Sequence, residues 1–429
     1  MKIVSTTRNK AWQEHDHITV GNQVPQLYVT GNRKQTIRGF GGCFNELGKI
    51  ALNELSPDRQ QQIYKELFSV EGCNFNFNRL PVGANDFSEI WYSCNETDGD
   101  YEMKHFSIER DLKYIIPYIR EAQKHQEAMQ LFASPWSPPT WMKFPKAYNF
   151  GTLVQTEDNL KAYALYFKKF IESYKAQDIK INQLHIQNEP MSTQKFPSCI
   201  WSGKELCSFI ANYLFDAFRE GNIDTDIFLG TLNGGSDFHT HFNAFLNVVM
   251  DDAICQKAVK GVGYQWDGKS AIAVSYDAFP ELEYIQTESE CGDGRNSYEY
   301  AMYIFGLIRH YMRFGSTAYV YWNIALKKGG ESTWGWCQNS LVTIDHGEVT
   351  YNPEFYVMKH FSHFVKRGAK YIELTGRWNA NSLCFENPDG EIILVVMNPF
   401  EETKDLTFDV KGKTSTIILE PHSFTTVAI

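Results

Sequence analysis

The 429-residue chain contains no CxxC pair, and its nine cysteines are scattered and odd in number. That argues against a disulfide framework and fits free thiols in a reducing compartment. No segment approaches ~18 consecutive apolar residues, so no membrane span is expected. The opening MKIVSTTRNKAWQEHDH turns polar within a few residues and lacks an apolar signal region, so we expect a cytoplasmic protein. No basic excess is present: the formal charge is −10, which argues against a nucleic-acid partner. There is also no block of like charges, no low-complexity stretch and no repeat. What the chain has in quantity is aromatic side chains, 15% of residues with 10 Trp and 23 Tyr. These suit a large core, and they also suit stacking on the apolar faces of sugars.

Short β-branched or apolar runs alternate with helical stretches. Strands are expected at Ile37–Phe44, Phe75–Val82, Met129–Ser134 and Ile181–Gln187, then at Ile227–Leu232, Gly261–Trp266, Glu283–Thr287 and Ala318–Ile324. Helices are expected at Ala51–Phe68, opened by Ser56-Pro57, and at Ile108–Lys124, kinked by Pro117. Others follow at Asn159–Lys175, Lys204–Glu220, Phe242–Ala258, Ser297–Phe314 and Pro353–Val365, with only weak helical character after the sixth strand. Eight parallel strands need crossover helices, so the pattern predicts an α/β fold, a (β/α)8 TIM barrel over residues 37–369. A doubly wound sheet is the alternative. The ends differ: Ser382–Phe385, Glu391–Met397 and Thr414–Leu419 look like strands without helices, and Ile18–Thr30 looks extended. Residues 1–36 and 370–429 are expected to pair as a side β-sandwich.

In such a barrel the chemistry collects at the C-terminal strand ends. The second strand places Arg79 inside, as a charge partner for carboxylates, and Asp86 on its loop. The third leads into Trp136 and Trp141, and the fourth ends at Asn188-Glu189-Pro190. The sixth ends at Gln265-Trp266, the seventh at Glu288 or Glu290, and the eighth at Trp322-Asn323. Glycoside hydrolysis needs two carboxyl groups flanking the scissile bond. Glu189 on the fourth strand and Glu288 or Glu290 on the seventh supply them from nearly opposite sides of the mouth. Their separation, which decides retention or inversion, is not written in the sequence. Glu189 taken alone would also suit a helix N-terminus; paired and set among aromatic loops, it points to chemistry. WGWCQNS adds Trp336, Gln338 and Asn339 to the expected rim. His15/His17 and His239/His241 have metal-like spacing but no third ligand nearby, so neither metal nor cofactor is expected. GFGG at Gly39–Gly42 lacks a dinucleotide fingerprint and reads as tight packing. Asn95-Glu96-Thr97 matches a glycosylation acceptor, which carries no meaning in a cytoplasmic chain.

The ordered set GFGGCFNELG, FNFNRLPVGANDFS, ASPWSPPTWMK, LHIQNEP, QTESECG, VYWNIAL and NPEFYVMKHFSHFVKRGA resembles glycoside hydrolase family 30, which includes the glucosylceramidases. The resemblance runs from about residue 37 to 370 and more weakly to the end. It implies a barrel with a side β-sandwich, a retaining β-glycosidase and no cofactor. It also implies Glu189 as acid/base, Glu288 as nucleophile because it follows Thr287, and Asn188 on the sugar 2-hydroxyl. Asp86, Trp136 and Trp322 match the sugar pocket. Two departures stand out: Gln265 where the glucosylceramidase carries His, and Glu46 where relatives usually carry Asp. The motifs lie closer to the glucosidase branch than to the xylanases, so an exo-acting β-glucosidase is expected. An endo-β-1,6-glucanase or β-xylosidase is the alternative. A sugar-binding protein without turnover is disfavoured, since both catalytic positions are Glu.

Overall fold

A computed structural model describes residues 2–15, 19–20, 23–237 and 244–429. Eight strands close into a parallel barrel: β1 Gly39–Cys43, β2 Phe77–Val82, β3 Gln130–Pro135, β4 Gln183–His185, β5 Asp226–Leu232, β6 Val259–Gln265, β7 Glu283–Glu288 and β8 Ser316–Asn323. Each expected strand is present, with ends shifted by a few residues. β8 is buried along its whole length, as a barrel strand covered on both faces must be. Inside, Phe77, Phe132, Phe228, Ile285, Ala318 and Val320 fill one end of the barrel. The ring of His185 lies between Phe132 and Phe228, at 4.7 and 5.0 Å between centroids. A Cβ on Gly41 would come within 1.9 Å of the Phe77 carbonyl oxygen, so the GFGG run allows β1 and β2 to approach closely.

The helices depart from the sequence reading in instructive ways. Ala51–Phe68 is two helices, α1 Glu46–Leu52 and α2 Pro57–Phe68. Asn45 caps α1, accepting from the Gly48 N–H at 2.7 Å, and Pro57 opens α2 at its first turn. The 108–124 stretch breaks at Tyr114 into α3 Glu109–Lys113 and α4 Ile115–Gln123. Pro117 has no N–H to offer the Lys113 carbonyl, so the break falls one turn before it. α5 is Glu157–Lys175; α6 Gly203–Phe209 and α7 Phe215–Glu220 flank a π turn at Ile210–Leu214. α8 Ala244–Met250 and α9 Cys255–Ala258 share the next crossover. The stretch read as weakly helical forms a regular ten-residue α10, Lys269–Ala278, seated on Ala271, Ile272 and Ser275. α11 is Tyr298–Arg313 and α12 Pro353–Ser362.

The two chain ends build one ten-stranded antiparallel-rich sheet folded into a β-sandwich. Besides the three expected C-terminal strands it uses Lys2–Thr6, Lys370–Thr375, Lys404–Val410 and Ser423–Ala428. Of the Ile18–Thr30 expectation, residues 18, 21 and 22 lie outside the described residues, while Thr19–Val20 and Leu27–Thr36 are strands. Strand Ile392–Asn398 shows how the unit attaches. Ile392, Leu394 and Val396 enter the sandwich core, while Ile393 and Val395 join the barrel core.

Candidate active site

The strand ends converge on Arg79, a β2 side chain with no exposed surface. Its guanidinium donates to Glu288 Oε2 at 2.6 Å, Asn188 Oδ1 at 2.6 Å, Ser134 Oγ at 2.8 and 3.0 Å, and Thr231 Oγ1 at 3.3 Å. Its plane lies 4.4 Å from the Trp136 ring centre and 5.4 Å from that of Trp322. A buried charge is tolerable only when paired and hydrogen-bonded throughout, and this one is. One cation thus links residues from β2, β3, β5 and β7 and from the segment after β4.

That segment is held by the barrel beyond the last β4 pair. The backbone N–H groups of Gln187, Asn188 and Glu189 donate to the carbonyls of Gly230, Pro135 and Thr231 at 2.7–2.9 Å. Gln187 donates to the Trp136 and Asn188 carbonyls and accepts from Trp201 Nε1. Glu189 sits at φ 46°, a left-handed conformation uncommon outside glycine and concentrated at functional turns. Asn188 Oδ1 accepts from Arg79, from Gln265 Nε2 at 2.6 Å and from Thr231 Oγ1 at 2.9 Å. With its oxygen so occupied, the amide can turn only its NH2 toward the mouth. Gln265 also donates to Glu288 Oε2 at 3.1 Å, and its backbone carbonyl accepts from the Tyr311 hydroxyl.

The two carboxyl groups differ in surroundings. Burial first, and the Glu288 charge second, push Glu189 up to about 8. Burial raises Glu288 as well, but the Arg79 guanidinium opposes it through charge and hydrogen bond. When one proton is shared between them, it therefore belongs on Glu189. Asp86 is buried, and burial followed by the Glu288 charge lifts it well above the usual carboxylate range. Asp86 Oδ1 and Trp322 Nε1 are buried without a partner among the described residues. Trp136 and Trp322 pack 5.2 Å apart.

Glu290 stands apart. The β7 strand ends at Glu288, the chain turns, and Glu290 accepts from the Tyr303 hydroxyl of α11 at 2.5 Å. Two of the expected rim residues are engaged by protein partners. Asn339 is fully buried and its amide is used up, accepting from Gly294 and Asn296 N–H and donating to Glu354 Oε1 at 2.7 Å. Gln338 accepts from Asn323 Nδ2 at 2.9 Å, which ties it inward. Trp336 is 48% exposed and stacks beside Trp334. Trp334 meets Phe196 of the loop after β4, and Thr333 donates to the Ser88 carbonyl of the loop after β2, so this loop braces one side of the mouth. Glu46 is buried, gripped by Arg110 at 2.7 and 2.8 Å, and accepts from the Glu89 backbone N–H at 2.8 Å. His15 bonds Ser5, whereas His17, His239 and His241 lie outside the described residues. The sequence reading missed Ser134, Thr231 and Gln187, although all three sit at strand ends where the barrel rule would have sought them.

The family model of the glycosyl hydrolase family 30 TIM-barrel domain matches residues 37–365, and that of the family's β-sandwich domain matches residues 368–427. The lysosomal acid glucosylceramidase of Mus musculus is 25% identical over 400 residues, 87% of this chain and 77% of that protein. The endo-1,6-β-D-glucanase BGN16.3 of Trichoderma harzianum is 26% identical over 393 residues, 86% of this chain and 78% of that one. The crystal structure of SrfJ from Salmonella typhimurium superposes with a TM-score of 0.91 over 100% of this chain and 99% of its own, at 23% identity; that likeness is one of fold.

Proposed function

We propose, from the premise that the chain belongs to glycosyl hydrolase family 30 and is a glycosidase, that it is a retaining, exo-acting β-glucosidase of the glucosylceramidase type working in the cytoplasm. The observation that carries the chemistry is the asymmetry of the two carboxyl groups: Glu288 is held by Arg79 and Gln265, whereas burial and the Glu288 charge raise Glu189. Glu288, paired with Arg79, is the carboxylate that attacks the anomeric carbon. Glu189, holding the proton, gives it to the leaving oxygen as the glycosidic bond breaks. The product of this step is a glycosyl ester on Glu288 and a free aglycone alcohol. Esterification removes the Glu288 charge, so Glu189 becomes more acidic and takes a proton from water, which displaces the ester and releases the sugar with its original configuration. The Asn188 NH2 donates to the sugar 2-hydroxyl, a bond that tightens as charge develops on the ring. Asp86 Oδ1 and Trp322 Nε1, both without a partner among the described residues, take the hydroxyls at the non-reducing end. The Trp334–Phe196 and Thr333–Ser88 contacts that close one side of the mouth support an exo reading.

The test is a panel of aryl β-glucoside, xyloside, galactoside, fucoside and glucuronide substrates, with the anomer first released followed by NMR. The glucoside should be hydrolysed fastest and with retention. Glu288→Gln should abolish turnover. Glu189→Gln should lower kcat/KM by about 10²–10⁴ on substrates with poor leaving groups. Full activity in Glu288→Gln, with loss in Glu290→Gln, would overturn the nucleophile assignment. The similarity to the Trichoderma glucanase supports an endo-β-1,6-glucanase as second reading. A short β-1,6-linked glucose oligomer distinguishes them: an exo enzyme releases only monosaccharide, an endo enzyme larger fragments.

A further inference from the structure

Away from the mouth, on the outer layer of the barrel, two cysteines 48 residues apart in the chain meet side by side. Cys207 of α6 and Cys255, the first residue of α9, have their Sγ atoms 3.8 Å apart. Cys255 is buried and its thiol donates to the Cys207 carbonyl at 3.5 Å, while Cys207 keeps partial contact with solvent. The carboxylate of Asp252 completes the group: one ligand atom from each of the three residues lies within 4.8 Å of the others. Among the described residues no other trio of His, Cys, Asp or Glu meets that condition.

We propose that Cys207, Cys255 and Asp252 bind one thiophilic divalent cation of the Zn²⁺ or Cd²⁺ class, with water in the fourth position. Three observations support it. First, thiolates bound to zinc at ~2.3 Å with tetrahedral angles stand about 3.8 Å apart, which is the spacing already present. Second, Asp252 Oδ1 accepts from the backbone N–H of Ile254 and Cys255 at 2.8 and 2.9 Å. Those bonds orient the carboxylate, as outer-shell hydrogen bonds do in metal sites. Third, a carboxylate has no part in a disulfide, the other product two neighbouring thiols could form. Binding breaks two S–H bonds, releases two protons to water and forms two sulfur–metal bonds, with the carboxylate as third ligand.

The experiment is an anaerobic titration of the reduced full-length protein with Cd²⁺. It follows the thiolate-to-cadmium charge-transfer absorption together with proton release. One ion per chain and two protons released are expected, with apparent affinity falling about a hundredfold per pH unit on acidification. Cys255→Ser should remove the band. Cys207→Ser, at the more accessible position, should do the same while leaving glycosidase activity intact. Asp252→Asn should weaken binding by roughly tenfold or more. No saturating band in the wild-type protein, or an unchanged band in Cys207→Ser, would overturn the proposal. So would a Cys207–Cys255 disulfide in the isolated protein that, once reduced, binds no cadmium.

Discussion

Arg79 has more to do than any other side chain in the mouth. It spends its donors on Glu288, Asn188, Ser134 and Thr231, and it lies against two tryptophan faces. Its positive charge is what opposes the burial that raises Glu288. The proposed mechanism needs Glu288 ionised and Glu189 protonated, so it predicts a bell-shaped kcat/KM that falls as pH rises through about 8. Arg79→Gln removes the opposing charge, so the Glu288 pKa rises and the acidic limb moves to higher pH. A pH–rate profile of the variant checks this, and an acidic limb that stays in place would refute the role given to Arg79. Gln265 is the neutral counterpart: its amide donates to both Asn188 and Glu288 and does not titrate in the working range.

At the scale of elements, the loop after β7 depends on α12. Asn339 brackets Gly294 and Asn296, and Glu354 in the first turn of α12 holds Asn339 in turn. Glu354 is fully buried, its Oε2 has no partner among the described residues, and burial pushes it up to about 7. An acid whose pKa is higher folded than unfolded loses stability as pH rises between the two values. The loss here begins near the ordinary carboxylate pKa and is complete above about 7. Glu354→Gln keeps the Oε1 acceptor and removes the titration. It should therefore be more stable than the parent at pH 8, by about 1–3 kcal/mol, and nearly equal to it at pH 4.5. Urea denaturation at the two pH values is the check, and an equal difference at both would contradict the account.

At the scale of the molecule, barrel and sandwich share one core. Val4, Phe385, Val395 and Phe424 of the sandwich pack in the same cluster as Phe305 of α11 and Phe361 of α12. Rings of Phe305 and Phe424 stack at 5.9 Å, and His360 of α12 bonds Thr6 and Thr426 from opposite ends of the chain. Strand Lys2–Thr6 pairs along its full length with Ser423–Ala428. The two units should therefore melt in one calorimetric transition. Deleting residues 1–7 removes the buried Ile3 and Val4, about 2 kcal/mol each, and should lower the single Tm by roughly 4 °C. Two separate transitions, or a barrel transition untouched by the deletion, would refute the shared core.

By itself the sequence determined the eight strands, their alternation with helices and the short set of residues at strand ends. Those follow from propensities and periodicities within a few neighbouring residues. Where the reading slipped, at the Pro117 break, at α1 and in the unseen sandwich strands, a local signal was weak and a distant partner decided. Glu288 and Glu290 are two apart, so an extended strand would point both the same way. Only the folded barrel ends β7 between them, leaving one against Arg79 and the other on Tyr303. The saturation of Asn339, the sharing of Arg79 among strand ends and the joining of the two termini are likewise tertiary. Each is a contact between residues tens to hundreds of positions apart, and only closure of the barrel and sandwich brings them together.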